Sequence, residues 1–217
     1  MTTAKIIKNT EKFVKVQLEK EGTGHDWWHI DRVRNNVKII CKSEKADWFV
    51  VALAVLLHDV GDRKVINKEN DDYSIAENFL KRQKVESDVI EQVMFVIKNM
   101  SFSNSLGKKK VKNSIEFQVV QDADRLDALG AIGIARAFAY GGSKARAIYD
   151  PTEKARKINS TANYHKPSNS TLHHFYEKLF RLKNLMNTKT ARRIADKRHK
   201  YMQKYVTQFL SEWEGKK

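Results

Sequence analysis

From Trp48 to Leu57 ten consecutive residues are apolar, Trp-Phe-Val-Val-Ala-Leu-Ala-Val-Leu-Leu, and the next two are His58 and Asp59. The run is too short to cross a bilayer, which takes about 20 apolar residues, and too uniform for a surface helix with one wet face. It is expected to form the buried central helix of a core, over 46–57. A histidine and an aspartate delivered from such a helix need strong partners, because an unpaired buried charge is costly. A histidine in a last turn also suits the helix dipole, and Gly61 is an ordinary helix stop, so the dipeptide alone leaves both readings open.

The neighbouring segments read as helices too. Residues 6–19 carry an amphipathic pattern through Ile7, Phe13, Val14 and Leu18, ended by Gly22-Thr23-Gly24. A second helix starts near Asp26 and puts Ile30, Val33, Val37 and Ile40 on one face. Helical patterns recur over 74–82, 87–99, 114–129, 171–186 and 190–213, with Lys108-Lys109-Lys110 in a loop. Only two prolines and nine glycines occur in 217 residues, too few for the close-set turns of a many-stranded fold. Periodicity lapses over 141–170, where Asp150-Pro151 and Lys166-Pro167 break any helix, and a connection of that length is usually functional or disordered. The expected organisation is one all-α domain over 1–217, with a core at about 25–130, the irregular loop, and C-terminal helices over 171–213.

A single cysteine, Cys41, cannot close an intramolecular disulfide, and Met1-Thr2-Thr3-Ala4-Lys5 leads into a mixed charged stretch, so a cytoplasmic protein with no membrane segment is expected. The net charge of +15 is uneven: from Pro151 onward 16 Lys and Arg stand against 5 Asp and Glu. Such a field draws anions, whether nucleotide, nucleic acid or acidic membrane, without choosing among them; a solvated helix face with no partner is the equal alternative.

Two further constellations carry chemistry. In His25-Asp26-Trp27-Trp28-His29 the histidines are four apart, and His29 lies at the shoulder of the apolar face with Val33; Arg32 could reach a phosphate from the same side. Asp122-Ala123-Asp124-Arg125-Leu126-Asp127 sets three carboxylates among the inward-facing Val119, Val120, Leu126 and Leu129, where they need either a cation or salt bridges to residues such as Arg125 and Arg136. Two imidazoles and two carboxylates from three inward helices make a nitrogen and oxygen donor set suited to Mn²⁺, Fe²⁺, Zn²⁺ or Mg²⁺. Such an ion lowers the pKa of bound water and neutralises phosphoryl charge, which hydrolysis of a phosphate ester or anhydride requires.

The ordered set His29, His58-Asp59 and Asp124 in Ala-Asp-Arg-Leu resembles the H…HD…D signature of HD-domain phosphohydrolases. The resemblance implies an all-α HD-domain helical bundle with a metal site between core helices, ligated by those four residues. It is closer to the small stand-alone bacterial HD hydrolases, through Ser101-Phe102-Ser103, Gln121-Asp-Ala-Asp-Arg-Leu-Asp-Ala, Gly130-Ala-Ile-Gly-Ile-Ala-Arg and His174-Phe-Tyr-Glu-Lys-Leu, over roughly residues 25–213. Members of that group are associated with manganese-dependent hydrolysis of nucleotides, including pyrophosphate release from nucleoside triphosphates. The chain is also similar to the hydrolase domain of the stringent-response enzymes, in which an acidic pair follows the HD. Here Asp62 is followed by Arg63, which argues against the guanosine alarmone as substrate and leaves Asp62 as the candidate to orient or deprotonate water, with Asp127 in reserve; either could instead support a ligand from behind.

For substrate contacts the candidates are His25, Arg32, His174 and Lys178, the last two four apart on one helix face. Trp27, Trp28, Phe102 and Tyr140 could stack on a base, with core packing as the alternative. The reading is therefore a divalent-metal phosphohydrolase acting on nucleotides, with manganese first and magnesium, iron, cobalt and zinc as alternatives. A nucleotide monophosphatase or cyclic-nucleotide phosphodiesterase is the enzymatic alternative, and a basic nucleic-acid-binding helical module with a structural metal is the other. Specific nucleic-acid binding is not expected, because the late positive residues are scattered over helices that also carry Phe175, Leu179, Leu182 and Leu185. A homodimer is compatible with the sequence, which does not fix the oligomeric state.

Overall fold

The computed structural model of the chain describes residues 1–19, 24–62, 66, 70–104, 114–160, 162 and 170–216. The Lys108-Lys109-Lys110 loop, Arg63, the Lys166-Pro167 break and Gly22-Thr23 lie outside these residues. Among them all regular structure is helical, the one extended feature being an isolated parallel bridge between Ala147 and Ser170. Among the described residues no helix is long and apolar enough to cross a membrane. The contacts divide the chain into two compact units, Met1–Ala123 and Asp124–Lys217.

The first unit is organised around its apolar helix. Helices α1 (Thr3–Gln17), α2 (Trp27–Cys41) and α3 (Trp48–Leu57) are followed by α4 (Ser74–Arg82), α5 (Ser87–Asn99) and α6 (Ile115–Asp127), and α1, α2 and α5 pack on α3. Every residue of α3 from Val50 to Leu57 is buried. Val50, Val51 and Val55 are poor helix formers, each disfavoured by less than about 0.7 kcal/mol, whereas burying a Val or Leu side chain gains about 1.5–3 kcal/mol. Burial wins, so β-branched residues make a helix here. Asp47 caps it, accepting from the backbone N–H of Phe49 at 2.7 Å and of Val50 at 3.3 Å, while its own N–H donates to Glu116 Oε1 at the start of α6.

In α1 the buried stripe is Ile6, Thr10 and Val14, continued by Leu18, so it runs to one side of the expected Ile7 and Phe13. Thr10 can occupy it because its hydroxyl donates to the Ile6 carbonyl at 2.8 Å. Phe13 instead stacks on Phe79, ring centroids 4.1 Å apart. Helix α2 buries the expected Ile30, Val33, Val37 and Ile40, together with His29 and Asn36.

In the second unit α7 (Gly130–Ser143) carries on through Gly141-Gly142, past the point where periodicity lapses. A Cβ at Gly141 would lie 2.0 Å from Thr171 Oγ1, so the absence of a side chain there permits that approach. The expected single helix over 171–186 is instead four windings: α8 (Thr171–His174), a π-helical turn (Phe175–Leu179), α9 (Phe180–Leu182) and a 3₁₀ turn (Lys183–Leu185). No proline or glycine signals this; the change coincides with a tertiary contact, the buried Glu177 paired with Arg156 at 2.8 Å. Helix α10 (Lys189–Trp213), capped by Thr188, closes the unit and packs on α7, with Phe138 set against Tyr205 and Phe209.

Candidate metal centre

The first turn of α2 fixes His29. Asp26 caps the helix through its side chain, which accepts from the His29 backbone N–H at 2.8 Å, and the register then turns the His29 ring into the core, fully buried. His58 follows the last residue of α3, and its Nδ1 lies 2.8 Å from the Val55 carbonyl. A carbonyl only accepts, so Nδ1 carries a proton and Nε2 is the nitrogen that a ligand role would use.

That Nε2 stands 3.2 Å from His29 Nε2. Asp59 completes the cluster, with Oδ1 at 3.5 Å from His58 Nε2 and Oδ2 at 3.5 Å from His29 Nε2. Donor atoms about 2.0–2.1 Å from a common centre, at angles between octahedral and tetrahedral, lie about 2.8–3.4 Å from one another. The 3.2 Å between the two imidazole nitrogens is thus that of neighbouring ligands on one cation, with the Asp59 oxygens at 3.5 Å just beyond that range, and imidazole nitrogens with carboxylate oxygens are the donors a borderline divalent ion takes. His25, half-buried, brings Nδ1 to 2.9 Å from Asp59 Oδ2, and with His29 and Asp59 forms a group whose potential ligand atoms all lie within 4.8 Å of one another. Burial alone would raise the Asp59 carboxyl, but His58, His25 and His29 around it outweigh that and hold it well below the usual carboxylate range. Asp59 is therefore an anion in place for a cation.

The turn after Asp59 is shaped by Gly61, whose φ of 88° lies in the left-handed region, and the Asp72 backbone N–H donates to the Gly61 carbonyl at 2.7 Å. A Cβ on Gly61 would come within 2.1 Å of the Asp72 carbonyl oxygen. Gly61→Ala is expected to cost about 1–3 kcal/mol, the range for an unfavourable backbone conformation, read as a lower urea midpoint at unchanged slope; an unmoved midpoint would contradict this account. Asp62, half-buried, continues that turn with its N–H 3.2 Å from the Asp59 carbonyl. Tyr73 faces the same acids: burial first, then Asp71 and Asp62, and more weakly Asp59, push its phenol well above the ordinary value, so it stays a donor.

Asp124 lies on α6 and is half-buried, while Asp122 and Asp127 on the same helix are buried. The residue before it is anchored in the first unit: the Ala123 carbonyl accepts from Asn36 Nδ2 of α2 at 3.0 Å, and Gln121 Nε2 donates to the Met100 carbonyl at 3.0 Å. Asp127 is held within the second unit by Arg136, whose Nη1 donates to Oδ2 at 2.9 Å. Arg32 is half-buried on α2, one turn beyond His29. His174 and Lys178 sit in the second unit, where the π-helical winding after His174 departs from the α-helical register on which their shared face was argued. The residues that sequence reasoning missed are Asn36 and Tyr73. Asn36 left a signal, a polar side chain in step with Val33, Val37 and Ile40; Tyr73 left none.

Comparison with known proteins agrees with this geometry. The HD domain family matches residues 27–129. Bacillus subtilis YpgQ, an uncharacterised protein, is 36% identical over 215 residues, covering 99% of this chain and 97% of its own. A solved structure of YpgQ in complex with ADP superposes with a TM-score of 0.76 at 34% identity, covering 97% of this chain and 100% of that one. A Bacillus thuringiensis HD-superfamily hydrolase gives 0.75 at 42% identity over 98% and 99% of the chains, and a Lactobacillus plantarum protein 0.88 at 37% over 99% and 100%. A near full-length likeness to such hydrolases, joined to a histidine and aspartate cluster spaced for a cation, places the chain in the HD superfamily as a metal-dependent phosphohydrolase.

Proposed function

We propose that this hydrolase acts on nucleotides, releasing pyrophosphate from nucleoside triphosphates, with manganese as its working cation. The observation that carries the nucleotide reading is the ADP bound to YpgQ, a relative matching nearly the whole chain. His29, His58, Asp59 and Asp124 hold the cation. A divalent ion bound there supplies Lewis acidity, making water a stronger acid and neutralising charge on the phosphoryl oxygens. The chain's own groups do the rest. Asp62 accepts the proton of the attacking water, the water oxygen bonds to the α-phosphorus, and the bond from that phosphorus to the bridging oxygen breaks with pyrophosphate as leaving group. His25, Arg32, His174 and Lys178 are the groups assigned to the substrate's anionic charge. Asp127 is less suited to take a proton, since the Arg136 guanidinium already engages its carboxylate.

A panel of nucleoside mono-, di- and triphosphates, each with Mn²⁺, Mg²⁺, Co²⁺ or Zn²⁺, tests the proposal by product analysis. Pyrophosphate with nucleoside monophosphate from triphosphates, fastest with Mn²⁺, is the expected result. Orthophosphate from monophosphates would overturn it in favour of a monophosphatase. Duplex DNA should bind only in the ~10⁻⁴–10⁻⁶ M range at near-physiological salt, as for incidental polyanion affinity, and a Kd near 10⁻⁸ M would favour a nucleic-acid module.

A further inference from the structure

We propose that the second unit holds a binding site for a planar nitrogen heterocycle carrying an anionic group, the chemistry of a nucleoside monophosphate, at a cavity of about 250 Å³ lined by Tyr149, Lys154, Ala155, Leu172, His173 and Tyr176. None of these residues belongs to the histidine and aspartate cluster, and the inference is independent of which nucleotide the enzyme hydrolyses.

The first observation is an unmet hydrogen bond. His173 lines the cavity, is only 5% exposed, and its Nδ1 finds no partner among the described residues. A buried polar atom left unsatisfied is costly, and on a residue that lines a cavity it marks a side chain whose ring, once turned toward the cavity, a ligand's ring nitrogen or amino group can satisfy. The second observation is the wall. Tyr149 stands edge-on to His173 at 5.7 Å and is braced from behind by Trp213 at 5.2 Å, while Tyr176 is a large aromatic side chain left 46% exposed. With Leu172 buried below them, these surfaces suit the faces and edges of a flat ring. The volume is below the roughly 300–1,000 Å³ of sites that enclose a drug-sized ligand, so it takes one ring system and leaves a phosphate at the rim. There the exposed Lys154 supplies the positive charge. Asp150 is turned to its own loop, accepting from the N–H and the hydroxyl of Thr152.

The cavity is also built to persist. The loop that forms its outer wall is fastened before Tyr149 by the Thr171 and Leu172 N–H groups, which donate to the Ala147 and Ile148 carbonyls at 2.9 and 3.0 Å. Beyond Lys154 it is fastened by Arg156, whose Nε and Nη2 grip the two oxygens of the buried Glu177 at 2.9 and 2.8 Å while its backbone N–H donates to Oε1. A rigid frame, aromatic faces, an unsatisfied imidazole and a rim cation are the parts of a small-ligand site.

The test uses His58→Ala protein in EDTA, in which capture at the metal centre is disabled, titrated with AMP, adenosine and ribose 5-phosphate by calorimetry. AMP should bind, adenosine more weakly, and ribose 5-phosphate not at all. Adding Tyr149→Ala or His173→Ala should weaken AMP by about tenfold or more, and Lys154→Glu, an exposed change that spares the fold, should remove the preference for AMP over adenosine. No AMP binding at millimolar concentration, or binding unmoved by Lys154→Glu together with either other change, overturns the site. Neither result bears on hydrolysis, which is measured with the unaltered metal-loaded enzyme.

Discussion

Alanine at position 58 is expected to remove both the cation and the activity while the helical circular dichroism persists. His58 donates its Nδ1–H to the Val55 carbonyl, which fixes the ring and turns Nε2 to the proposed ligand role, 3.2 Å from the companion nitrogen of His29. Losing a directly bound donor should cost more than loss of an outer partner, which typically lowers affinity or activity by about 10–100-fold. The fold should survive, because α3 is held by the burial of Val50 to Leu57 and not by its terminal histidine. Asp124→Ala is expected to behave alike, as the fourth ligand proposed. His25→Ala should do less: His25 touches Asp59 Oδ2 from a half-buried position and helps to hold that carboxylate ionised, so metal should weaken without vanishing. Metal analysis after purification, with turnover and circular dichroism on the same samples, reads all three. Full metal occupancy in His58→Ala would sink the ligand assignment.

Which parts of this were legible in the sequence follows from where their causes lie. The run Trp48–Leu57 declares a buried helix because ten apolar residues have no other place in a protein this charged, and His58-Asp59 is then delivered into the interior by chain continuity. His29 was legible for a similar reason, through its step with Val33 on α2. What failed to show were features made by distant contacts. The winding from Thr171 to Leu185 changes from α to π to 3₁₀ with no glycine or proline to mark it, around a carboxylate at Glu177 that is paired with an arginine 21 residues earlier. Thr10 takes a core position that hydropathy gives to an apolar residue, because Ile6 satisfies its hydroxyl. Tyr73 follows the residue whose N–H closes on Gly61, so its approach to Asp62 and Asp59 goes with a bond between residues 11 apart that no periodicity encodes.

Asp62→Asn is expected to keep the metal and lower kcat by roughly 10²–10⁴-fold, the range for a positioned acid or base. Asp62 sits three residues after Asp59 in a turn set by Gly61, close enough to Tyr73 for its charge to help raise that phenol. Asparagine matches aspartate in size and can still accept a hydrogen bond, but it cannot take a proton at neutral pH, so the substitution separates proton transfer from shape. Asp127→Asn supplies the comparison. Asp127 is buried and paired with Arg136 at 2.9 Å, so asparagine there removes the negative charge facing a half-buried guanidinium and should show first in stability. Single-turnover rates and metal content measured on both variants distinguish the roles. A large drop in rate for Asp62→Asn at full metal occupancy and unchanged melting temperature assigns it the proton. An unaltered rate for Asp62→Asn, with a large drop for a fully folded Asp127→Asn, would move the base to Asp127 and require the Arg136 pair to open during turnover.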